Sequence, residues 1–304
     1  MKVYLSNINE SWIIDRIRKE WYKANSDIST KMIMRSEIIW IISPWLWEKI
    51  PRKYLKEKKV ICSHYHFDFN NFDRENFYEL DQYVDEYHVI SKKTQEQLEQ
   101  LTAKKITSIP FWINQNLFFE IQNKKKLRDE LGFNDEDYLV GSFQRDTEGN
   151  GSNLPKLIKG PDIFYKLLSE NLKDKKNLKV VLAGKRRNYI IQKLEQADIP
   201  FKYFEMVNTE KLNKLYNVLD LYIVSSRIEG GPQAILECAI SKTPILSTNV
   251  GVAPEILHPS SIYNSKNFDD AKINIEYAYD NAALFKLPKS MTSFRKTLFK
   301  IYEN

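Results

Sequence analysis

The sequence predicts an α/β protein with two domains, in which helices cover both faces of parallel β-sheets. Short runs rich in β-branched and aromatic residues alternate with longer amphipathic or polar stretches, which is typical of strand–helix units. The length of 304 residues suits about two domains, and 42% apolar residues are enough for their cores. A polar stretch at residues 116–134, with lysines at 124–126, separates two alternating sets and is the predicted domain linker.

The first set contains five predicted strands, at residues 2–5, 38–42, 60–62, 88–91 and 106–109. A helix is expected between the first two strands, because Trp12, Ile13, Ile17 and Trp21 share one side at helical spacing. Two further helices are predicted at 79–85 and 92–101.

The second set contains six predicted strands, at residues 138–143, 179–183, 203–206, 221–224, 245–247 and 261–263. Helices are predicted between them at 161–169, 209–218 and 232–241, and a last helix at 290–302. Such alternation favours a parallel sheet, and sheets of this kind bind ligands beyond the carboxyl ends of their strands.

Composition excludes several classes of protein. No run approaches the 18 or more apolar residues of a membrane span, and the N-terminus is too polar after Leu5 for a signal peptide. Two distant cysteines, Cys62 and Cys238, form no metal or disulfide pattern, so a cytoplasmic location is expected. The net charge of +6 is modest, its lysines are interleaved with acids, and no nucleic-acid partner is expected.

The most informative stretch is residues 226–237, which read Ser-Arg-Ile-Glu-Gly-Gly-Pro-Gln-Ala-Ile-Leu-Glu. It follows a predicted strand and opens a predicted helix, with Pro232 suited to the first helical turn. The free N–H groups of Gln233 and Ala234 then lie at the positive end of the helix, which favours a phosphate group.

Two carboxylates, Glu229 and Glu237, flank this helix start with seven residues between them. Carboxylates accept hydrogen bonds only, so they suit the hydroxyls of a ribose or another sugar. Glu237 lies among apolar residues, where a carboxylate is costly unless it is hydrogen-bonded. The alternative is two surface glutamates at a coincidental spacing, since 28% of the residues are charged.

The stretch from Leu215 to Ile256 resembles the donor-binding core of glycosyltransferase family 4, which are retaining enzymes of the GT-B fold. The matching pieces are Leu215-Tyr216, residues 220–224, residues 226–237, residues 241–248 and residues 251–256. The resemblance implies two Rossmann-like domains with a cleft between them and a C-terminal helix that crosses back to the first domain. The corresponding domains are 1–117 on the acceptor side, 118–286 on the donor side, and the helix at 287–304.

The resemblance also implies roles for the residues of this motif. Glu229 would hold the donor sugar, and Glu237 would hold the ribose. Backbone at Gly230 and Gly231 would lie along the sugar, and the N–H groups of Gln233 and Ala234 would contact the diphosphate. Val207 would contact the nucleobase through its backbone, so the base is not readable from a side chain. Ser225 stands where the family often has proline, which is a minor departure.

Two basic residues, Arg145 and Lys159, match positions where the family presents cations to the donor phosphates. Fixed cations stabilise a departing diphosphate without a metal ion, so no metal or other cofactor is expected besides the nucleotide sugar as co-substrate. The alternative is that both are ordinary surface cations. The polar loop at 146–153 is longer than the family needs, which puts the role of Lys159 in doubt and suggests a flap. The cations at 185–187 could also reach phosphate, although a solvated loop is the favoured expectation.

His64 is the first domain's best match to a family histidine close to the donor sugar, and His66 is its competitor. A histidine there would hydrogen-bond a sugar hydroxyl or help move the acceptor proton. The His-x-His-x-Asp spacing of residues 64–68 could instead bind a metal, although no third cluster of ligands supports this. A purely structural role is the remaining alternative.

The resemblance therefore implies a retaining, metal-independent hexosyltransferase of polysaccharide biosynthesis, with a glycan or lipid-linked acceptor. Acceptor residues do not carry over, because residues 6–10 stand where the family has a glycine-rich loop. Trp45 and Trp47, followed by five basic residues between 52 and 59, could dock on an anionic membrane, although core tryptophans and solvated lysines are favoured. Rival functions are a GT-B sugar-nucleotide epimerase or hydrolase, and a sugar-nucleotide-binding subunit without turnover.

Overall fold

The computed structural model describes residues 1–6, 13–149, 152–264 and 266–303. The chain divides into two compact units. Unit 1 contains Met1–Trp112 and Phe285–Asn304, and unit 2 contains Ile113–Leu284. No helix of the described ranges is long and apolar enough to cross a membrane.

Unit 1 is built on a five-stranded, fully parallel sheet in the order β1-β2-β3-β4-β5. The strands are β1 (Val3–Leu5), β2 (Ile38–Ile41), β3 (Lys59–His64), β4 (Glu86–Val89) and β5 (Lys105–Ser108). The central strands are buried on both faces, which explains why the sequence shows continuous apolar runs there instead of alternation.

Helices lie on both faces of this sheet. They are α1 (Ile13–Ala24), α2 (Arg52–Glu57), α3 (Arg74–Asp81), α4 (Lys92–Leu98) and, from the C-terminus, α12 (Lys289–Glu303). Phe294 of α12 stacks on Trp40 of β2 with ring centroids 5.4 Å apart, and Met291, Leu298 and Ile301 join the same core. The predicted return of the C-terminal helix to the first domain is confirmed.

Unit 2 contains a six-stranded parallel sheet in the order β11-β10-β9-β6-β7-β8. The strands are β6 (Tyr138–Ser142), β7 (Leu178–Ala183), β8 (Phe201–Phe204), β9 (Leu221–Val224), β10 (Ile245–Thr248) and β11 (Ile262–Tyr263). The strand order reverses between β6 and β9, and open α/β sheets bind ligands beyond the carboxyl ends of the strands at such a point.

The helices of unit 2 alternate with its strands along the chain, and the first helix precedes β6. They are α5 (Lys124–Leu131), α6 (Pro161–Lys166), α7 (Asn188–Gln196), α8 (Thr209–Val218), α9 (Gln233–Ile240), α10 (Ala253–Ile256) and α11 (Ile275–Ala283). A π-helical turn at Leu167–Asn171 continues α6. The sequence did not predict helices α5, α7, α10 and α11.

The predicted linker at 116–134 is wrong, because it contains helix α5 of unit 2. Asn123 caps the start of this helix by accepting from the Lys126 amide, and Gly132 ends it in a left-handed conformation. Lys124 and Arg128 both bind Asp220 at the start of β9, with nitrogen–oxygen distances of 2.9 and 2.6 Å. The polar composition therefore reflects a helix anchored by ion pairs.

Three other predictions need correction or fall outside the described ranges. The helix predicted at 79–85 begins earlier, at Arg74, because Asp73 caps it. Strand β8 begins two residues before its predicted start. Trp12, most of the loop at 6–10, and residues 150–151 of the proposed flap lie outside the described residues.

The two tryptophans near residue 46 behave differently. Trp47 is buried, and the Arg52 guanidinium lies 3.8 Å from the centroid of its ring. Trp45 is 47% exposed, so the expectation of a core position is wrong for this residue.

Candidate functional site

The candidate site lies in unit 2, beyond the carboxyl ends of β6 and β9. Gln144, two residues after β6, connects this edge to the turn before α6. Its amide nitrogen donates to the Lys159 carbonyl at 2.7 Å and to the Ser225 hydroxyl at 3.1 Å. Its amide oxygen accepts from the Ser226 hydroxyl at 3.0 Å. Gln144 was not predicted as a site residue, because its position after a strand is the only sequence signal that points to it.

The chain before Lys159 fixes the loop that carries Glu229. The Ile158 carbonyl accepts the amides of Arg227 and Ile228 at 2.9 and 3.1 Å. The Arg227 guanidinium also forks across Asp162 at 2.7 and 2.5 Å, and it lowers the pKa of that carboxyl. Bidentate pairing of this kind sets geometry as well as energy, so the two segments are held in one arrangement.

Lys159 and Glu229, two predicted donor residues, contact each other directly: the Lys159 ammonium donates to Glu229 Oε1. Both side chains are only 16% exposed. Gly160 permits this approach, because it has a φ of 62° and a Cβ atom there would lie 1.8 Å from the Ser225 carbonyl oxygen. The longer loop before Lys159 therefore does not remove the lysine from the site.

The glycine pair after Glu229 packs against the turn between β10 and α10. Gly251 has a φ of 46°, and a Cβ atom there would lie 2.1 Å from the Gly230 carbonyl oxygen. The Thr248 hydroxyl donates to the Ser226 carbonyl at 2.6 Å on the same side. The backbone at Gly251 therefore packs directly against the backbone at Gly230, and no space remains for a side chain at Gly251.

Helix α9 begins at Gln233, one residue later than predicted, with Pro232 immediately before it. The first N–H groups of a helix, here those of Gln233 and Ala234, have no acceptor within the helix. Within the described ranges, the Gln233 Oε1 atom is buried and has no hydrogen-bond partner. The helix start therefore offers both hydrogen-bond donors and an acceptor four residues after Glu229, with Gly231 two residues before Gln233.

Glu237 lies one turn into α9 and is 4% exposed. The Tyr216 hydroxyl of α8 donates to Glu237 Oε2 at 2.8 Å. Burial and the neighbouring carboxylate raise the pKa of Tyr216, so the phenol stays protonated and remains a donor. The sequence reasoning that a buried Glu237 needs a hydrogen-bond donor is consistent with this contact.

Arg145 is partly buried just after β6, next to a buried ion pair that the sequence analysis did not foresee. Arg187 Nε donates to Asp146 Oδ2 at 2.5 Å, and both side chains are at most 2% exposed. Arg187 also donates to the Ser142 and Ala183 carbonyls, at the ends of β6 and β7. The expectation that Arg187 is a solvated loop residue is therefore wrong, and its ion pair fixes the backbone beside Arg145.

Val207 is partly buried between β8 and α8. It lines an open pocket of about 430 Å³ together with Met206, Asn208 and residues from the ends of two helices, Glu130, Leu131, Glu210, Lys211 and Lys214. The predicted contact of the Val207 backbone with the nucleobase rests on the resemblance alone.

His64 lies in unit 1, at the end of β3. It is 8% exposed and stacks on Phe67 with ring centroids 5.0 Å apart, while Phe77 and Tyr87 contact its ring edge-on. Burial, assisted by nearby His66, lowers the pKa of His64 to about 3, so its imidazole is neutral. Among the residues that the structure describes, no group of three or more His, Cys, Asp or Glu could hold a metal ion.

Solved structures with the same fold are numerous. HepE from Anabaena in complex with UDP aligns with a TM-score of 0.73 over 99% of this chain and 100% of its own, at 14% identity. Sucrose-phosphate synthase from Thermosynechococcus elongatus aligns with a TM-score of 0.70 over 97% of this chain and 81% of its own, at 12% identity. The fold is therefore GT-B, with two α/β units, as predicted.

The fold and the sequence together define a glycosyltransferase. The family described as "Glycosyl transferases group 1" matches residues 124–296, which is more than half of the chain. The chain belongs to this family. No curated protein sequence matches it significantly.

Proposed function

We propose that this protein is a retaining, metal-independent hexosyltransferase that moves a sugar from a nucleoside-diphosphate sugar to a glycan or lipid-linked acceptor. The observation that carries this proposal is the contact of Lys159 with Glu229 beside the start of α9. This contact brings together a cation suited to phosphate and a carboxylate suited to sugar hydroxyls, four residues before the free N–H groups of the helix.

Each part of the donor has a matching group in unit 2. The diphosphate meets the N–H groups of Gln233 and Ala234 together with Lys159 and Arg145. The sugar lies along Gly230 and Gly231 with its hydroxyls on Glu229. The ribose binds the buried carboxylate of Glu237, and the nucleobase contacts the backbone at Val207.

Uridine is the first base to test. HepE has been solved with UDP and with UDP-glucose, and that protein shares the fold of this chain over nearly its full length. Guanosine and adenosine diphosphate sugars are the alternatives, because backbone contacts at Val207 do not select a base.

The proposed reaction proceeds on one face of the sugar. An acceptor hydroxyl oxygen attacks the anomeric carbon, the bond from that carbon to the phosphate oxygen breaks, and the leaving phosphate takes the acceptor proton. Lys159 and Arg145 stabilise the charge that develops on the diphosphate. The imidazole of His64 is neutral, so it can share a hydrogen bond with a hydroxyl but does not act as a cationic acid.

The decisive assay combines each purified nucleotide sugar with a panel of glycan acceptors, with and without EDTA. Transfer that persists in EDTA and gives the same anomeric configuration as the donor supports the proposal, whereas an inverted product or a complete loss in EDTA contradicts it. Rapid donor turnover without acceptor would indicate a hydrolase or epimerase. Donor binding without any transfer would indicate a binding subunit.

A membrane-bound acceptor has its own test. Vesicles of anionic lipid that carry the protein upward in a flotation gradient would support a lipid-linked acceptor. Of the two tryptophans considered for membrane docking, Trp45 is the one to vary, because it is exposed and Trp47 is buried. Absence of flotation would leave a free glycan as the acceptor.

A further inference from the structure

We propose that Tyr216 is a positioning residue that makes the donor site select ribose over deoxyribose. This inference rests on the proposed function, in which Glu237 binds the ribose. Neither the motif nor the family match assigns a role to the Tyr216 hydroxyl. The geometry around that hydroxyl assigns it the task of orienting the ribose-binding carboxylate.

The hydroxyl and the carboxylate form a buried contact between two helices. Tyr216 is 2% exposed and Glu237 is 4% exposed, and the oxygen atoms are 2.8 Å apart. A charged acceptor strengthens such a hydrogen bond, and low local polarity strengthens it further. The contact engages Oε2, so rotation of the carboxylate about its last side-chain bond is restricted.

The Tyr216 ring is itself held on several sides. Ring centroids of Phe143, Tyr222 and Phe118 lie 5.0, 5.5 and 6.1 Å from its own. Tyr222 in turn accepts the Phe143 amide through its hydroxyl at 3.1 Å, which ties this aromatic group to the end of β6. The phenol therefore reaches Glu237 from a fixed direction.

Other hydrogen bonds join α8 to the residues that directly follow α9. The Ser241 hydroxyl donates to Asn213 at 3.0 Å, and the Thr243 hydroxyl donates to the Tyr216 carbonyl at 3.0 Å. Neither bond involves the Tyr216 hydroxyl. Removal of that hydroxyl alone is therefore expected to remove the hydrogen bond that orients Glu237 Oε2, while the two helices keep their packing.

The link to ribose follows from the chemistry of a buried acceptor. A carboxylate oriented towards the ribose accepts hydrogen bonds from its hydroxyls, and a nucleotide without the 2′-hydroxyl leaves part of that acceptor unpaired. Sites that are built to bind a hydroxyl reject analogues that lack it for this reason. When the carboxylate can turn, its oxygen is no longer left unpaired by a deoxyribose, and the preference for the ribonucleotide falls.

The experiment measures dissociation constants for a nucleoside diphosphate and its 2′-deoxy form by calorimetry. The probe is whichever of UDP, GDP and ADP binds the wild-type protein most tightly. The proteins are wild type, Tyr216→Phe, Glu237→Gln and Tyr222→Phe. The last variant is the matched control, because it also removes a buried tyrosine hydroxyl, from a ring whose centroid lies 5.5 Å from that of Tyr216.

We expect the wild type and Tyr222→Phe to prefer the ribonucleotide by about tenfold or more, in line with the loss of one charged hydrogen bond. Tyr216→Phe and Glu237→Gln should reduce that ratio to about threefold or less, with binding of the deoxynucleotide little changed.

Two other results would overturn the inference in distinguishable ways. If Glu237→Gln loses the preference and Tyr216→Phe keeps it, Tyr216 has no positioning role, while the donor site stands. If Glu237→Gln also keeps it, or the wild type has none, the ribose assignment of the proposed function is wrong as well. Should Tyr216→Phe fail to fold, a nucleotide-bound wild-type structure decides: separation of Glu237 from Tyr216 overturns the inference, and retention of their contact supports it.

Discussion

Lys159 donates a hydrogen bond to Glu229, although 70 residues separate them in the chain. The contact joins the turn before α6 to the loop before α9, and the amides of Arg227 and Ile228 on the Ile158 carbonyl hold the same two segments together. In the proposed donor complex, an ion pair between the Lys159 ammonium and phosphate, and hydrogen bonds from sugar hydroxyls to the Glu229 carboxylate, replace this contact.

Replacement of Lys159 by alanine should reduce kcat/KM by about a hundredfold to a thousandfold, because the departing diphosphate loses the fixed positive charge that stabilises it. Lys166→Ala is the matched control, since Lys166 is half-exposed and pairs with Glu170 on the surface at 3.7 Å. Steady-state kinetics with the cognate donor distinguish the two. Equal activities of both variants would remove Lys159 from the site.

A methyl group at Gly251 should damage the donor site through the backbone. The new Cβ atom would lie 2.1 Å from the Gly230 carbonyl oxygen and 2.9 Å from that of Glu229, so the loop must move. We expect Gly251→Ala to lose about 1–3 kcal/mol of stability and most donor binding. In Gly149→Ala the nearest atom is the end of the Arg186 side chain at 3.3 Å, which moves easily. Calorimetric titration that shows equal donor affinity in both variants would contradict this account.

The buried ion pair of Arg187 and Asp146 should be costly to break from one side. Asp146→Ala leaves the guanidinium buried without its carboxylate, and such changes cost about 3–5 kcal/mol. Lys166→Ala breaks a surface pair and should cost less than about 1 kcal/mol. Denaturant unfolding gives both values. A small loss for Asp146→Ala would show that the ion pair does not hold the chain beside Arg145.

Two buried histidines predict a loss of stability in mild acid. Burial lowers the pKa of His88 to about 4 and that of His64 to about 3, against about 6.5 in an unfolded chain. Below pH 6.5 the unfolded state therefore binds more protons, and the free energy of unfolding falls as the pH falls. Each histidine should contribute a loss of about 1 kcal/mol between pH 6.5 and 5.5.

The matched variant for this prediction is His64→Phe, which fits an environment of aromatic rings. It should lose about 1 kcal/mol less than the wild type over the same pH interval, because one titrating group is gone. Urea unfolding at the two pH values provides the comparison. An identical loss in both proteins would mean that His64 does not resist protonation.

Much of the fold was predictable because strands in a doubly covered parallel sheet are continuous apolar runs. Strand β9 and helix α8 have the predicted bounds. Helix α5 was missed because its apolar face is narrow, and it depends on ion pairs with Asp220 that are distant in sequence. Helix α3 was misplaced because its cap, Asp73, carries the start signal and lies before the predicted range.

The candidate site was predictable where the motif is local and not where partners come from elsewhere. Glu229, Gln233 and Glu237 stand in one stretch of sequence. The contacts of Gln144 with Ser225 and of Tyr216 with Glu237 join different elements, and nothing in the sequence pairs them. Three consecutive cations look solvated, yet Arg187 is buried because Asp146 meets it from another loop.

The central claim is that the start of α9 binds the diphosphate of a nucleotide sugar. The most direct test is a titration of ¹⁵N-labelled protein with UDP, GDP and ADP, followed through the backbone amide signals of unit 2. The account predicts saturable binding of at least one nucleotide, with the largest shifts at Gln233, Ala234 and the glycines before them. Saturable binding that leaves these amides unmoved, or no binding of any of the three, would contradict it.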